Sequence, residues 1–336
     1  MAEIVLGFTC SHGPMIGTPP EAWLLSPPAS PDAKYYVFRD RVYSYNEMKA
    51  LRADENLAKS CAPDVRAERH ARIQKQMDDL ADLVAAANPD VIVITGDDQR
   101  EWFGPDKQPA FSVAAFPEIV NVALDGERVK KLRPWRHLDA EYLYKDKVDR
   151  RYRVETALAG HVVDRARQDG FDLSVCTQQP ESREGAILGH AFSFVCRRIL
   201  KDRAVPIVPF PINTMYPPNQ PTPRRSYDFG RMLARAIKDW DSDKRVAVCG
   251  SGGLSHFACD EAWDRRIMDE VRAGDGEALA RENDANFGSG NSEVKNWIIC
   301  AGAMHEAKLK AGHGSYTPCY TDPAGIGQGM GVMAWD

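Results

Sequence analysis

The hydrophobic and polar positions of the chain follow two alternating patterns. Short, mostly apolar runs with the length of buried strands occur at 3–8, 91–94, 171–176, 206–210 and 245–249. Longer segments with apolar side chains at helical spacing occur at 65–87, 159–168, 189–200 and 227–240. Because helices and strands alternate, we expect a layered α/β/α domain with a central, mostly parallel or mixed sheet.

The domain organisation predicted from this pattern is simple. The chain has 336 residues and contains no internal repeat, low-complexity tract or convincing linker. We therefore expect one domain over 1–336. The stretch of about 18–53 departs from the pattern because it is rich in proline, tyrosine and charged residues. It predicts a long excursion over the surface, which is a lid, a subunit contact or a plain loop.

Three of the predicted strands run directly into polar loops. The first loop, 9–14, contains His12, and the second, 96–99, has the sequence Gly-Asp-Asp-Gln. The third, 250–256, is glycine-rich and ends at His256. Since the ends of neighbouring strands meet at one edge of an α/β sheet, we expect these loops to converge and to carry the active site.

A carboxylate, Glu293, lies at the start of a later predicted helix. Nitrogen or amide ligands combined with a carboxylate can hold Fe(II) and leave positions open for substrate and oxygen. Each residue also has a simpler explanation, because a lone histidine after a strand is often a turn residue and a glutamate at a helix start is often a cap. The glycine-rich loop lacks the Lys-Ser/Thr ending of a nucleotide-binding loop.

Composition narrows the range of partners. The net charge of −5 argues against nucleic acid, which requires a basic surface. No apolar run of about 20 residues and no signal-like N-terminus is present, so we expect no membrane association and a cytoplasmic location. The eight cysteines form no Cys-x-x-Cys pair, which predicts reduced and mostly buried thiols.

Several stretches together resemble the class III extradiol dioxygenases, the superfamily of the protocatechuate 4,5-dioxygenase β subunit. The resemblance is strongest to the branch that acts on gallate and its methyl ethers. The matching stretches, in chain order, are 11–14, 96–99 with Phe103, 208–213 with 216–218, 250–256, Glu293 with Trp297, and 329–333. They cover nearly the whole chain apart from 18–53.

The resemblance implies roles for individual residues. His12 and Glu293 fall on iron-ligand positions, and His256 falls on the acid/base histidine. The second histidine ligand of the family would fall at Gln99, whose amide oxygen is a weaker donor than imidazole. The third ligand is then Gln99 or the adjacent carboxylate of Asp98.

Other positions follow from the same resemblance. His70 and His190 are the histidines that could replace the missing ligand, although each is more often a packing or surface residue. Pro14, Gly253 and Ser255 are candidate substrate contacts. A further family histidine near the substrate falls around Glu184, where no role is carried over.

The implied function is ring opening of a catechol-type aromatic acid of the gallate, 3-O-methylgallate or protocatechuate class, using Fe(II) and O2. His256 would accept and return the substrate proton. The resemblance also implies a homodimer, with a small partner subunit in some relatives. An acidic substrate requires a cation, for which the candidates are Arg100, Arg183, Arg224 and Lys295.

Two alternatives remain open at this point. The change at Gln99 is compatible with a metal-dependent hydrolase or decarboxylase that acts on an aromatic acid. It is also compatible with a non-catalytic subunit that retains the fold. Oxygen uptake discriminates the first alternative, and metal content tests the second.

Overall fold

The computed structural model describes residues 1–25, 30–124, 144–181 and 186–336. The strands of this part are β1 (Glu3–Cys10), β2 (Tyr36–Phe38), β3 (Arg41–Tyr43), β4 (Val91–Asp97), β5 (Ser112–Ala114), β6 (Glu118–Asn121), β7 (Arg150–Arg153), β8 (Ser174–Cys176), β9 (Ile207–Ile212), β10 (Arg245–Ser251), β11 (His256–Ala258), β12 (Ala311–Asp322) and β13 (Ile326–Trp335). The α-helices are α1 (Tyr45–Leu51), α2 (Pro63–Ala87), α3 (Thr156–Gln168), α4 (His190–Phe194), α5 (Pro223–Asp239), α6 (Glu261–Ala273), α7 (Gly276–Ala280) and α8 (Val294–Ala307).

A mixed central sheet organises the described part of the chain. Strands β1, β10, β4 and β9 lie side by side in that order and run parallel. β13 continues the sheet beside β1 in the antiparallel direction, and β11 and β12 both pair with β13. The predicted fold class, an α/β domain with a mostly parallel or mixed sheet, is confirmed.

Helices cover both faces of this sheet. In β4, Val91 and Val93 pack into one core with α3, α5 and α8. Their neighbours Ile92 and Ile94 point to the opposite face and pack into a second core with α2 and α4. Because side chains alternate across a strand, an apolar residue at every position predicts a strand that is buried on both faces.

The register of the parallel strands aligns their carboxyl ends. Cys10 at the end of β1 lies opposite Ser251, which pairs in turn with Gly96 of β4. Asp97 lies opposite Ile212 at the end of β9. The polar loops that follow these strands therefore leave the sheet at one edge, as the sequence predicts.

Two parts of the strand pattern differ from expectation. The run 171–176 yields only β8, which pairs with β5 outside the central sheet. The predicted strand 206–210 continues to Ile212 through Pro209 and Pro211. These prolines are tolerated because β9 is an edge strand, where a missing N–H leaves no ladder position unpaired.

The predicted excursion contains regular structure rather than a plain loop. β2 and β3 form a hairpin, and α1 begins with a capping box between Ser44 and Glu47. Tyr36, Phe38 and Met48 form a small cluster with Ala258 of β11. The excursion therefore packs against the strand that begins at His256.

Two further sequence expectations concern cysteines and membranes. All eight cysteines are free thiols, and every one except Cys176 is buried, so the predicted thiol state is confirmed. Over the ranges that the structure describes, none of the helices has the length and apolar character needed to cross a bilayer.

Candidate metal centre

Four side chains with metal-binding atoms meet at the aligned strand ends. They are His12 after β1, Asp97 at the end of β4, His190 at the start of α4, and Glu293 at the residue before α8. Each offers one atom, and these atoms lie within 4.8 Å of one another. All four side chains except His190 are buried. We call this group the ligand cluster.

Hydrogen bonding orients the ring of His12. The hydroxyl of Ser251 donates its proton to the carbonyl of Ala191, at 2.7 Å. The same oxygen, 2.9 Å from Nδ1 of His12, must therefore accept a hydrogen bond from that nitrogen. Nε2 of the neutral ring then presents a lone pair to Glu293 at 3.3 Å and to Asp97 at 3.6 Å.

His190 is oriented in a similar way by Glu101. One oxygen of Glu101 accepts from Nδ1 of His190 at 2.8 Å, and the other accepts from its backbone N–H at 2.7 Å. Nε2 lies 3.4 Å from Asp97. Burial lowers the pKa of His190, but the charges of Glu101 and Asp97 outweigh it and raise the pKa to about 10. A carboxylate behind a histidine is the usual partner of a metal-binding imidazole.

The pKa values of the two carboxylates in the cluster are shifted in opposite directions. Burial and the charge of Glu293 raise the pKa of Asp97. Burial also tends to raise the pKa of Glu293, but His256 and His12 lower it well below its usual range. The backbone N–H of Gly253 donates to Glu293 at 2.6 Å.

The cluster fits a divalent cation. Among the described residues, both carboxylate oxygens of Asp97 and Nε2 of His12 are buried without a hydrogen-bond partner. Buried acceptors that face one another without a donor are unfavourable unless a cation lies between them. Two imidazoles with carboxylate oxygens are a donor set that suits Fe(II) and related transition metals.

His256 lies directly beside the cluster. Its Nδ1 donates to the carbonyl of Leu254 at 2.8 Å, and its Nε2 lies 3.2 Å from Glu293. Its backbone N–H donates to the side chain of Asn291 at 2.7 Å. Burial lowers the pKa of this imidazole, but the charge of the adjacent Glu293 carboxylate and the other partners of the ring together have the larger effect. The pKa of His256 is therefore raised above its usual value.

The structure separates the roles of Asp98 and Gln99. The carboxylate of Asp98 accepts backbone hydrogen bonds from Glu101, Trp102 and Phe103 at 2.8–3.2 Å, so it caps the turn after β4. Burial raises the pKa of Asp98 to about 6. The amide nitrogen of Gln99 lies 3.2 Å from Glu293, and the side chain is exposed. Gln99 therefore borders the cluster on its solvent side.

The remaining candidates occupy different places. His70 lies on α2, where its ring contacts the carbonyl of Ile16 at 3.2 Å. Ser255 is fully buried and Pro14 is exposed. The candidate positions Arg183 and Glu184 lie outside the described residues.

Sequence reasoning did not assign Asp97 or His190 to the ligand set. Asp97 was visible in the strand-end acidic pair, and His190 was one of two histidines considered as a substitute. No local pattern distinguished them, because their proximity to His12 depends on how α4 crosses the end of β4.

Comparison with known proteins identifies the family. Residues 60–325 match the family model described as "Catalytic LigB subunit of aromatic ring-opening dioxygenase". This chain belongs to that family. The LigB match confirms the class III extradiol dioxygenase resemblance, and its range includes Asp97, His190, His256 and Glu293.

A curated relative of this LigB-family chain is gallate dioxygenase from Pseudomonas putida strain KT2440. The two are 29% identical over 174 residues. That stretch covers 48% of this chain and 48% of the relative, so the match spans about half the length of each protein.

Proposed function

We propose that this protein is a metal-dependent extradiol dioxygenase that opens the ring of a catechol-type aromatic acid with O2. The observation that carries the proposal is the group of His12, Asp97, His190 and Glu293, all buried except the half-buried His190, directly beside His256. Membership of the LigB family and similarity to a gallate dioxygenase support the same reaction class and a substrate of the gallate type.

We assign the metal to Fe(II), held by His12, His190 and Glu293 with Asp97 completing the set. Two histidines and a carboxylate are the recurrent ligands of non-haem Fe(II) oxygenases. Fe(II) bound there would lower the pKa of a substrate hydroxyl and conduct electrons from the bound diol to O2. Gln99 at the solvent side would orient Glu293 through its amide.

His256 is the proposed proton acceptor and donor. Its Nδ1 is occupied by the carbonyl of Leu254, so Nε2 is the nitrogen that can exchange a proton with substrate. The Leu254 carbonyl holds the ring at Nδ1, and the side chain of Asn291 accepts from the backbone N–H of His256. A neutral His256 would take the hydroxyl proton at Nε2 and return it when the ring opens.

A small pocket lies beside Asp98, the residue that follows Asp97 of the cluster. Phe103, Pro211, Asn213 and Tyr216 line it together with Asp98, whose neighbour Gln99 contacts Glu293. Its aromatic and proline walls offer flat apolar surface, while the amide of Asn213 is polar. We further propose a cytoplasmic homodimer, and the family resemblance adds a small partner subunit in some relatives.

Oxygen consumption tests the proposed function. The purified protein, supplied with Fe(II), is given gallate, 3-O-methylgallate, protocatechuate or catechol in an oxygen electrode, and its metal content is measured in parallel. We expect equimolar loss of oxygen and diol, with a preference for the trihydroxybenzoate and its methyl ether over catechol.

The other outcomes point to the alternatives. Stoichiometric metal without oxygen uptake, together with loss of CO2 or hydrolysis of an aromatic acid, would favour a hydrolase or decarboxylase. A protein that binds no divalent metal would favour a non-catalytic subunit. A strong preference for plain catechol would overturn the assignment to an aromatic acid.

A further inference from the structure

Four basic residues are candidates for binding an acidic substrate, and the structure separates the three that it describes. Arg224 forms an ion pair with Glu277 at 2.5 Å on the surface. Lys295 is buried, and its ammonium donates to the carbonyl of Thr214 at 3.2 Å. Arg100 is exposed, and no carboxylate of the described residues forms an ion pair with its guanidinium. Arg100 is therefore the candidate whose charge is available to a ligand.

The position of Arg100 relates it to the ligand cluster. It follows Gln99, the exposed side chain whose amide reaches the buried carboxylate of Glu293. Gln99 therefore lies between Glu293 and solvent, a position that we call the entrance, and Arg100 is the next residue along the chain. Its backbone has φ of 64°, a left-handed conformation that is uncommon outside glycine and that turns the chain sharply after Gln99.

The side chain of Arg100 lies along the wall of the adjacent pocket. Its guanidinium carbon lies 4.4 Å from the ring centroid of Tyr216. Tyr216 lines the pocket together with Phe103 and Asn213. A guanidinium stacked on an aromatic ring keeps its edge N–H groups free for a carboxylate, with which it can form two parallel hydrogen bonds.

The shape of the substrate class matches this arrangement. In gallate-type acids the hydroxyl groups and the carboxylate lie at opposite ends of the ring. A ring whose hydroxyls face Glu293 and His256 therefore directs its carboxylate away from the cluster. Arg100 adjoins Gln99 on the solvent side of the cluster, and its stacked position on Tyr216 limits the side-chain entropy lost on binding.

We infer that Arg100 is the specificity-determining residue that recognises the carboxylate of the aromatic acid. The inference rests on the proposed function for the identity of the ligand. It assigns Arg100 to substrate recognition and leaves proton transfer to His256. Arg100 should therefore affect acidic and neutral diols differently.

The test compares gallate with pyrogallol, which has the same three hydroxyls and no carboxylate. Equilibrium binding of each to the Fe(II)-supplied protein is measured by calorimetry without oxygen, and kcat and KM are measured separately with oxygen. Arg100→Met should weaken gallate binding about tenfold. This effect is at the lower end of the range for charge-assisted hydrogen bonds, because Arg100 is exposed to solvent. Pyrogallol binding should change less than about twofold, and added salt should weaken only gallate binding to the wild type.

Matched variants separate charge from backbone and stacking effects. Arg100→Lys retains the charge and should recover part of the gallate preference. Arg39→Met is the control, because Arg39 is also exposed, has a positive φ of 46°, and stacks on Phe38 at 4.7 Å. Arg39→Met should leave the binding of both ligands unchanged.

The outcomes distinguish this inference from the proposed function. If gallate binding depends on Arg100 while no oxygen is consumed, the recognition role stands and the dioxygenase proposal fails. If oxygen is consumed but Arg100→Met weakens gallate and pyrogallol equally, or weakens neither, the recognition role is overturned. It is also overturned if the wild type binds gallate no more tightly than pyrogallol, or binds neither ligand.

Discussion

At the scale of single residues, the orientation of His12 is set by one buried hydroxyl. Ser251 donates to Ala191, so its oxygen is left to accept from Nδ1 of His12. This bond selects the tautomer whose Nε2 lone pair faces Asp97 and Glu293. Glu101 orients His190 in a similar way, because it accepts a hydrogen bond from Nδ1 of that ring. Each imidazole is therefore oriented by a residue outside the ligand cluster, Ser251 for His12 and Glu101 for His190.

The choice between His190 and Gln99 as a metal ligand can be tested directly. His190→Ala removes an imidazole that is held by Glu101 and aimed at Asp97, so we expect at least tenfold weaker Fe(II) binding. Gln99→Ala removes an exposed amide that contacts Glu293 and should retain most of the affinity. Competition titration with a chelator measures both variants. Weak binding by Gln99→Ala combined with normal binding by His190→Ala would restore Gln99 as the ligand.

His256 should behave differently from a ligand. His256→Ala removes the group proposed to move the proton but leaves all four members of the ligand cluster, so metal content should stay near that of the wild type. We expect kcat to fall by about 10²-fold or more, a typical loss for a general acid/base. Metal analysis and oxygen uptake on the same preparation check this. Wild-type turnover would remove His256 from the mechanism.

At the scale of elements, the segment before α8 forms one wall of the His256 site. Residues Ser289–Glu293 form a 3-10 turn that leads into the helix, and Gly290 packs against the imidazole. A Cβ atom at position 290 would lie 1.9 Å from Cδ2 of His256. A side chain there cannot be accommodated unless the ring or the turn moves.

Gly290→Ala should therefore displace the His256 ring or the turn that carries Glu293. Overpacking of this kind costs about 1–3 kcal/mol of stability, and misplacement of the proton acceptor should lower kcat at least tenfold. Gly160→Ala in α3 is the matched control, since a Cβ atom at that position meets nothing within 4 Å. The control should keep normal turnover and gain stability from better helix propensity. Equal activity of the two variants would contradict this account.

At the scale of the whole molecule, a buried carboxylate links α6, β12 and the loop before β11. Asp264 on α6 accepts hydrogen bonds from the backbone and hydroxyl of Ser255, each at 2.7 Å. It also accepts one from Tyr316 of β12 at 2.7 Å. Burial raises the pKa of Asp264 to about 7, although these hydrogen bonds tend to lower it.

This pKa shift predicts a pH dependence of stability. A raised folded-state pKa means that the folded protein holds the Asp264 proton more tightly than the unfolded chain does. The bound proton stabilises the folded protein fully below pH 4. As the pH rises towards 7 this stabilisation is lost, and the free energy of unfolding falls by a few kcal/mol. In Asp264→Asn this dependence should disappear, so the difference from the wild type should change between pH 5 and pH 7.

Denaturant unfolding at several pH values measures this difference. Asp269→Asn on the same helix is the control, because its side chain is exposed and pairs with Arg272. A constant difference between the wild type and Asp264→Asn over this range would contradict the assigned shift.

The sequence by itself determined the features that arise from local patterns. The all-apolar run of β4, the helical spacing of α2 and the polar loops after the strands depend on residues close together in the chain, so periodicity was sufficient to predict them. His12, His256 and Glu293 became candidates because each lies in a strand-end or helix-start stretch, and the family resemblance supplied their proposed roles.

Only the tertiary structure decided which of these groups meet. His190 joins His12 because α4 crosses the end of β4, and Asp98 turns its carboxylate to its own backbone instead of the cluster. The C-terminal pair β12 and β13 extends the sheet beside β1 although more than 300 residues separate their partners in the chain. Such contacts depend on packing and strand register between distant segments, which leave no periodic trace in a single sequence.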